Sequence, residues 1–558
     1  MTTDPAKLRR WIYHLILAIA FAIACGRIAS VQRIYEPAFH RDLAKAGDRR
    51  PVWPSSRPDA MPMFGSNDRA RWATIRSLVH DHSYVIGKRN PTTHVASALA
   101  AFGTTDPLQA AVLYQTGSLV RTDVSNPSSH SGIIFKPKFK EHGWATIDRV
   151  LNPNTLEFLS SKPPLLSTLL AGVYWIFLNV TGLSLIDHPT IVVRVMLVLV
   201  NALPFAGYLW LLTRIAERWG MTDWGKIYIV AAGAFATLIS PFLVTLNNHT
   251  IGAFAVMAAW WSVLRVWDKM SLPAPARRGV EGEGVGGAPS PRAHLPEGEG
   301  GRVAIVTAGF FSAFAASMEM PALSFAAACF VLLLWWRPGR TLLLFVPAAL
   351  IPAAAFFGTN YLAMGQLRPA QSEFGSAWYE YEGSHWKPPP TGEKKFGIDW
   401  AKHHESRVDY ALHVLVGHHG LFSLTPIWLL SLAGMILGSL CLRSLWRQAL
   451  FKEATDFPWF VQPLGLALTV VVVGFYLVKS DNYGGYTNGL RWLMWLTPIW
   501  LTCLLPVADW LGQSRFGRWV GGLFLGISVF SVSYQLWSPW RHPWIFDLMV
   551  ELGWAGYQ

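Results

Sequence analysis

The chain has 558 residues, of which 52% are hydrophobic and only 15% charged, with a formal net charge of +13. Charged residues run well below the roughly 25% of soluble proteins, and repeated apolar runs of about 18 residues or more match the length needed to cross a bilayer. A soluble enzyme domain and a nucleic-acid partner are therefore excluded as readings, because the basic residues sit mostly in short loops between apolar runs, where they set membrane topology. The expected fold class is all-α: a polytopic membrane protein of about eleven transmembrane helices, with juxtamembrane helices in the first outer loop and its 28 Trp forming an interfacial belt. Cys25, Cys329, Cys441 and Cys503 all lie in apolar runs without Cys-x-x-Cys spacing, so neither a disulfide framework nor a zinc site is expected.

In chain order, Lys7, Arg9 and Arg10 precede the first apolar span, 11–29. It lacks a small-residue cleavage site and reads as a retained anchor with a cytoplasmic N-terminus. A long polar segment, 30–160, follows on the outer face. Within Phe64–Val79, Trp72, Ile75, Leu78 and Val79 share one side while Arg69, Arg71 and Arg76 fall elsewhere. That pattern predicts a short amphipathic helix lying in the interface. Asn67 or Asp68 is placed to cap it; Asp68 is either only a cap or a general base at the membrane surface. The outer segment also holds Gly143–Arg149. Ser160–Leu166 then leads into the apolar stretch 165–182. If that stretch crossed, Arg214, Arg218 and Lys226 would lie outside, so it is expected to re-enter or stay juxtamembrane.

Later spans are expected at 190–213, 227–246, 250–267, 303–318, 320–336, 341–358, 422–441, 460–478, 492–510 and 518–537. Residues 268–302, rich in Gly, Pro, Arg and Glu, read as a disordered cytoplasmic linker. It separates an N-terminal module (1–267, outer loop 30–189) from C-terminal helices (303–558). Those helices carry a second outer loop, 359–420, whose Trp378, Tyr379, Glu380, His385 and Trp386 suit either a sugar platform or an interfacial belt. The two long outer loops are expected to pack into one small cap.

On this topology several polar groups share the outer surface: Asp68, Lys162 behind Pro163 and Pro164, Asn247-Asn248-His249, Glu319, and Asp481–Arg491. Ionisable groups near hydrocarbon are costly and are functional candidates by default. Each has a plainer alternative. Lys162 can snorkel, His249 can be a satisfied structural histidine, Glu319 can serve a buried partner, and Arg491 can be an interfacial anchor. Together they describe a carboxylate base with several cations, suited to a substrate carrying phosphate and a lipid tail. Gly484-Gly485 would let backbone approach that phosphate.

Asn67-Asp68 heading Arg69–Val79, then Lys162-Pro163-Pro164-Leu165, then Arg194 early in the next span, and Tyr483–Arg491 late in the chain resemble the GT-C superfamily of membrane glycosyltransferases. The likeness is closest in kind to the bacterial protein O-mannosyltransferase and aminoarabinose transferase group. It implies an inverting transferase that takes sugar from a polyprenyl-phosphate donor to a hydroxyl on a lipid, glycan or protein. The active site would face the periplasm from a bacterial inner membrane, with the lipid tail in a groove between spans. Asp68 would be the base and Lys162 and Arg491 would hold phosphate. Glu319 and His249 would line the sugar pocket, with Asn248, Arg194 and Tyr483 also binding substrate. Asn-Asp stands where the family has Asp-Glu, the insert 80–160 is longer than usual, and 247–249 lacks an acid, so no bound metal is expected. The competing readings are a lipid or polysaccharide transporter, which usually shows repeat symmetry and mid-membrane charges, and an inactive scaffold.

Overall fold

The computed structural model describes residues 4–31, 62–63, 65–88, 146–271, 299–381, 384, 386, 406–440, 457–480, 482–485, 487–534 and 538–554. Phe64, the linker interior 272–298, His385, Cys441, the basic loop Arg443–Lys452 and Asp481 lie outside the described residues.

The first helix, α1 (Pro5–Ser30), starts where Asp4 accepts the Ala6 N–H at 3.0 Å. Helix α2 is Ser66–His80 and α3 is Pro164–Thr181. Helix α4 (Pro189–Trp219) contains a π turn at Val198–Ala202. That turn stands directly before Pro204, whose missing N–H breaks the regular ladder there. Then come α5 (Asp223–Phe242), α6 (Asn248–Ser271), α7 (Glu299–Met318), α8 (Met320–Trp336) and α9 (Pro338–Met364). The C-terminal part adds α10 (Arg407–Leu415), α11 (Ile427–Leu440), α12 (Val461–Lys479), α13 (Arg491–Gly512), α14 (Arg515–Tyr534) and α15 (Trp544–Glu551). Helices α6 and α7 take up both ends of the stretch expected to be linker.

Ten described helices are long and apolar enough to cross a membrane, and α8 and α11 are shorter apolar ones. The chain is an all-α polytopic membrane protein. One buried core runs through both halves. Helix α13 is its axis, buried nearly throughout from Leu493 to Asp509. Polar ties across that axis are internal, as lipid demands: Trp260 on α6 donates to Thr502 at 3.0 Å, and Gln462 on α12 donates to the Cys503 carbonyl at 3.1 Å.

Contacts at the two ends of the bundle define which way each helix runs. At one end, Arg9 of α1 meets Glu217 at the close of α4 (2.8 Å) and Asp223 at the start of α5. At the other, Arg194 of α4 donates to the Val31 carbonyl (3.1 Å), and Arg27 donates to the Ser240 carbonyl late in α5 (2.8 Å). Helix α4 is thus antiparallel to α1. Helix α3 begins at the Val31 end, ends at Gly182 (φ 71°), and connects by a short turn to α4, which starts at that same end. The turn folds back on α3, where the Leu185 N–H donates to the Tyr174 hydroxyl at 2.7 Å. The α3–α4 turn is thus held against α3, and by length and composition α3 is itself one of the ten candidate spans. Its Leu166, Leu170 and Tyr174 are buried, while Leu169, Val173, Ile176 and Val180 are exposed, one apolar face against protein and one outward.

Helix α2 departs from expectation. It is buried from Asp68 to Ser77, arginines included, rather than lying with a polar face in the interface. Its N-cap is Gly65, with no side-chain cap bond, so neither Asn67 nor Asp68 caps it. Burial comes from α3 on one side and the chain around 146–148 and 246–248 on others.

A small antiparallel sheet lies beside α2: β1 (Gly87–Lys88), β2 (Arg149–Leu151) and β3 (Glu157–Ser160), ordered β1-β3-β2. Gly87 faces Phe158 and Arg149 faces Ser160. The Leu151 N–H reaches the Trp378 carbonyl (2.9 Å), and Trp386 donates to the Ile147 carbonyl (3.1 Å). Val150, Leu159, Met364, Ala370 and Tyr379 form a second small core with Trp378 and Trp386 against it. The two outer loops thus share one cap, and the aromatics of the second loop are used in its packing.

Candidate active site

The site is assembled at the Val31 end of the bundle. Asn201, in the π turn of α4, donates to the Leu243 and Thr245 carbonyls (2.8 and 2.9 Å) and accepts from Thr250. Asn247 accepts the Thr250 N–H at 2.9 Å and so caps α6. These bonds hold the turn 243–247, leaving Asn248 and His249 as the first residues of α6.

From that turn the Leu246 N–H donates to Asp68, whose side chain is fully buried (3.2 Å). One turn along α2, Arg71 donates to the Asn67 and Asn248 side chains. Asn248 in turn donates to the Met318 carbonyl (3.0 Å) and to Glu319 (2.6 Å). Glu319 also meets His249. Glu319 is presented here because α7 ends at Met318 and the chain turns extended before Pro321 opens α8. A continuous chain of hydrogen bonds therefore runs Arg71–Asn248–Glu319 across α2, α6 and the α7–α8 turn, with His249 paired to Glu319 at its end.

Lys162 pairs with Asp148 at 2.8 Å. Burial works to raise the Asp148 carboxyl, but Lys162, Arg491 and Arg71 outweigh it and hold it below the usual carboxylate range. Burial pushes the Arg71 guanidinium down to about 10 against the opposing pull of Asp148, Asp68 and Glu319. Arg491 stands in the field of Asp148 and Glu319. Its guanidinium lies over the Trp540 ring, 4.7 Å from the centroid. Its Nε and Nη1 are buried without a hydrogen-bond partner among the described residues. Gly484 (φ 92°) presses on it: a Cβ there would stand 3.3 Å from Arg491 Nε, and the backbone conformation itself favours glycine.

The structure thus brings together Asp68, Lys162, Asn248, His249, Glu319 and Arg491 in one electrostatically coupled cluster. Two expected residues make their described contacts with other partners. Arg194 is bound to the Val31 carbonyl. Tyr483 is buried between His419 (5.0 Å, stacked) and Tyr410 (5.1 Å). Lys162 is ion-paired rather than snorkelling. Three participants had no role assigned from sequence: Arg71, Asp148 and Trp540. Arg71 sits at i+3 from Asp68 and shares its helix face, a signal that an interfacial reading of α2 hid. Asp148 and Trp540 join only through tertiary contacts. Among the described residues, no three His, Cys, Asp or Glu are placed to hold one metal ion.

Chemically, Arg491 offers unspent donors to an anion, and the carboxylates nearby can accept a proton.

No protein-family profile matches the chain, and no curated protein matches its sequence. Among solved structures it is similar to the oligosaccharyltransferase of Archaeoglobus fulgidus. Against the apo form the TM-score is 0.42 at 10% identity, covering 95% of this chain and 56% of that one. Against the form with Zn and sulfate the values are 0.32 and 12%, covering 72% and 49%. Against the complex with an inhibitory peptide and a dolichol-phosphate they are 0.31 and 11%, covering 84% and 54%. The chain spans about half the length of the structures it matches.

Proposed function

We propose that this chain is a GT-C-type inverting glycosyltransferase. It moves a sugar from a polyprenyl-phosphate donor to an acceptor hydroxyl on a lipid, glycan or protein, at the periplasmic face of a bacterial inner membrane. The observation that carries the reading is Arg491: a cation with two buried nitrogens lacking hydrogen-bond partners among the described residues, in a cluster with buried carboxylates. An unpartnered buried guanidinium is costly, and an anionic phosphate would satisfy it bidentately.

In this mechanism Arg491 and Lys162 hold the donor phosphate. The acceptor oxygen attacks the anomeric carbon as the bond from that carbon to the phosphate oxygen breaks. The acceptor proton passes to Asp68, and polyprenyl phosphate leaves with the bonding pair, stabilised by the two cations. Glu319 and His249 line the sugar pocket, with Asn248 fixing Glu319. Arg194 and Tyr483 have no part in this scheme.

The test uses purified protein in detergent with radiolabelled polyprenyl-phosphate sugars. Asp68→Asn is expected to abolish release of polyprenyl phosphate while donor binding persists, and Arg491→Met to abolish binding. Equal release from wild type and Asp68→Asn would remove Asp68 from the chemistry.

A further inference from the structure

We propose that Asp148 is a positioning residue that keeps the Lys162 ammonium charged and fixed beside Arg491, so that the pair of cations receives a phosphate headgroup across a broad pH range. The inference rests on the proposed function only for the identity of the phosphate.

The geometry begins at α2. Thr146 Oγ1 donates to the Ser66 carbonyl (2.7 Å), and the Asp148 N–H donates to Thr146 Oγ1 (3.1 Å). On the other side the Ser161 N–H donates to the Asp148 carbonyl (3.0 Å), extending the β2–β3 pairing in which Arg149 faces Ser160. The carboxylate is therefore placed by the first turn of α2 and by a strand register. It reaches Lys162 Nζ at 2.8 Å, with side-chain exposures of 19% for Lys162 and 11% for Asp148.

Lys162 needs such a partner. Burial disfavours its charged form, and Arg71 from α2 and Arg491 from α13 repel it, so its pKa lies below the ordinary lysine value even with Asp148 opposing them. The other groups around it are neutral: Thr74 from α2, Ser160 from β3, Tyr84 beyond α2, and the apolar Ala363 and Met364 at the end of α9. Tyr379 from the cap also feels Asp148. Asp148 is thus the only carboxylate acting strongly to retain the Lys162 proton among the described residues. Without it, Lys162 would become neutral at lower pH, and one phosphate-binding cation would be lost as pH rises.

The experiment uses the full chain in detergent, as wild type, Asp148→Asn, Asp148→Glu and Lys162→Met, between pH 6 and 10. Two readouts are taken. Reaction of Lys162 with acetic anhydride, followed by mass spectrometry, reports its neutral fraction independently of any function. Equilibrium binding of polyprenyl monophosphate reports the phosphate site. In Asp148→Asn the labelling midpoint is expected to fall by about one pH unit or more. Its polyprenyl phosphate affinity should drop about tenfold or more through that interval, approaching the constant low value of Lys162→Met. Asp148→Glu should restore both profiles in large part. Unchanged labelling in Asp148→Asn overturns the proposal, as does shifted labelling with an unshifted binding profile. Shifted labelling with no binding by any variant leaves the pair standing and refutes the phosphate reading of the site. Should Asp148→Asn fail to fold, Asp148→Glu decides: a Lys162 labelling midpoint lowered by about one pH unit or more, together with binding as weak as that of Lys162→Met, would count against rescue and overturn the proposal.

Discussion

Asn248 hydrogen-bonds two buried charges, Arg71 and Glu319, at once, so its removal is a sharp test of the site. Its oxygen accepts from Arg71, and its nitrogen donates to Glu319 at 2.6 Å and to the Met318 carbonyl at 3.0 Å. Asn248→Ala leaves each charge with fewer partners: Arg71 keeps Asn67, and Glu319 keeps His249. Hydrogen bonds to buried charges contribute about 1.5–3 kcal/mol each and neutral ones about 1 kcal/mol. Such terms within one network do not simply add, so the expected loss is about 3 kcal/mol. The assay is thermal unfolding in detergent, followed by tryptophan fluorescence at one fixed scan rate because membrane proteins often unfold irreversibly. A fall of several degrees is expected. The reasoning is tested more closely by a cycle with Arg71→Met. If Arg71 is held through Asn248, the double variant should be less destabilised than the two singles combined, with coupling above about 0.5 kcal/mol. Strict additivity would mean that the hydrogen-bonded chain from α2 to the α7–α8 turn does not exist as described.

Two further outcomes follow from the packing and from a second cluster. Gly309 on α7 passes so close to α9 that a Cβ would stand 2.4 Å from the Phe345 carbonyl oxygen; Gly309→Ala should cost about 1–3 kcal/mol by overpacking, visible as a lower unfolding temperature, and an unchanged temperature would mean the helices part at no cost. His418, His419 and His542 are packed in rings with Tyr483 and Phe546. Burial first, then neighbouring histidines, pushes His418 down to about 3 and His419 well below its usual value, and burial pushes His542 down to about 4 against the pull of Asp547. Since the folded state keeps these rings neutral while the unfolded chain protonates them near about 6.5, stability is fully present above about pH 6.5. It should fall as pH drops toward 4, by up to about 1.4 kcal/mol per pH unit for each ring. A pH series of unfolding temperatures checks this, and His418→Asn should flatten the slope; an identical slope in the variant would place the acid sensitivity elsewhere.

The membrane class and the approximate positions of the apolar helices were legible from the chain itself. Apolar run length and the distribution of Lys and Arg act locally along the sequence, and lipid leaves a 20-residue apolar run few alternatives to a helix. The cluster of Asp68, Lys162, Asn248, His249, Glu319 and Arg491 was approachable too, because ionisable groups at the ends of apolar spans are few and must gather on a common surface. Three things were decided only in three dimensions. Arg71 belongs to the site because α2 is enclosed by protein on all sides, and enclosure depends on segments far away in sequence. Asp148 reaches Lys162 through a strand register and the bond of Thr146 to Ser66, neither of which leaves a local pattern. Arg194 and Tyr483, alike in residue type to good ligands, are turned to the Val31 carbonyl and to a histidine cluster. Residue type and spacing place a charge near a surface; which partner it meets there depends on how distant helix ends are brought together, and that is a property of packing alone.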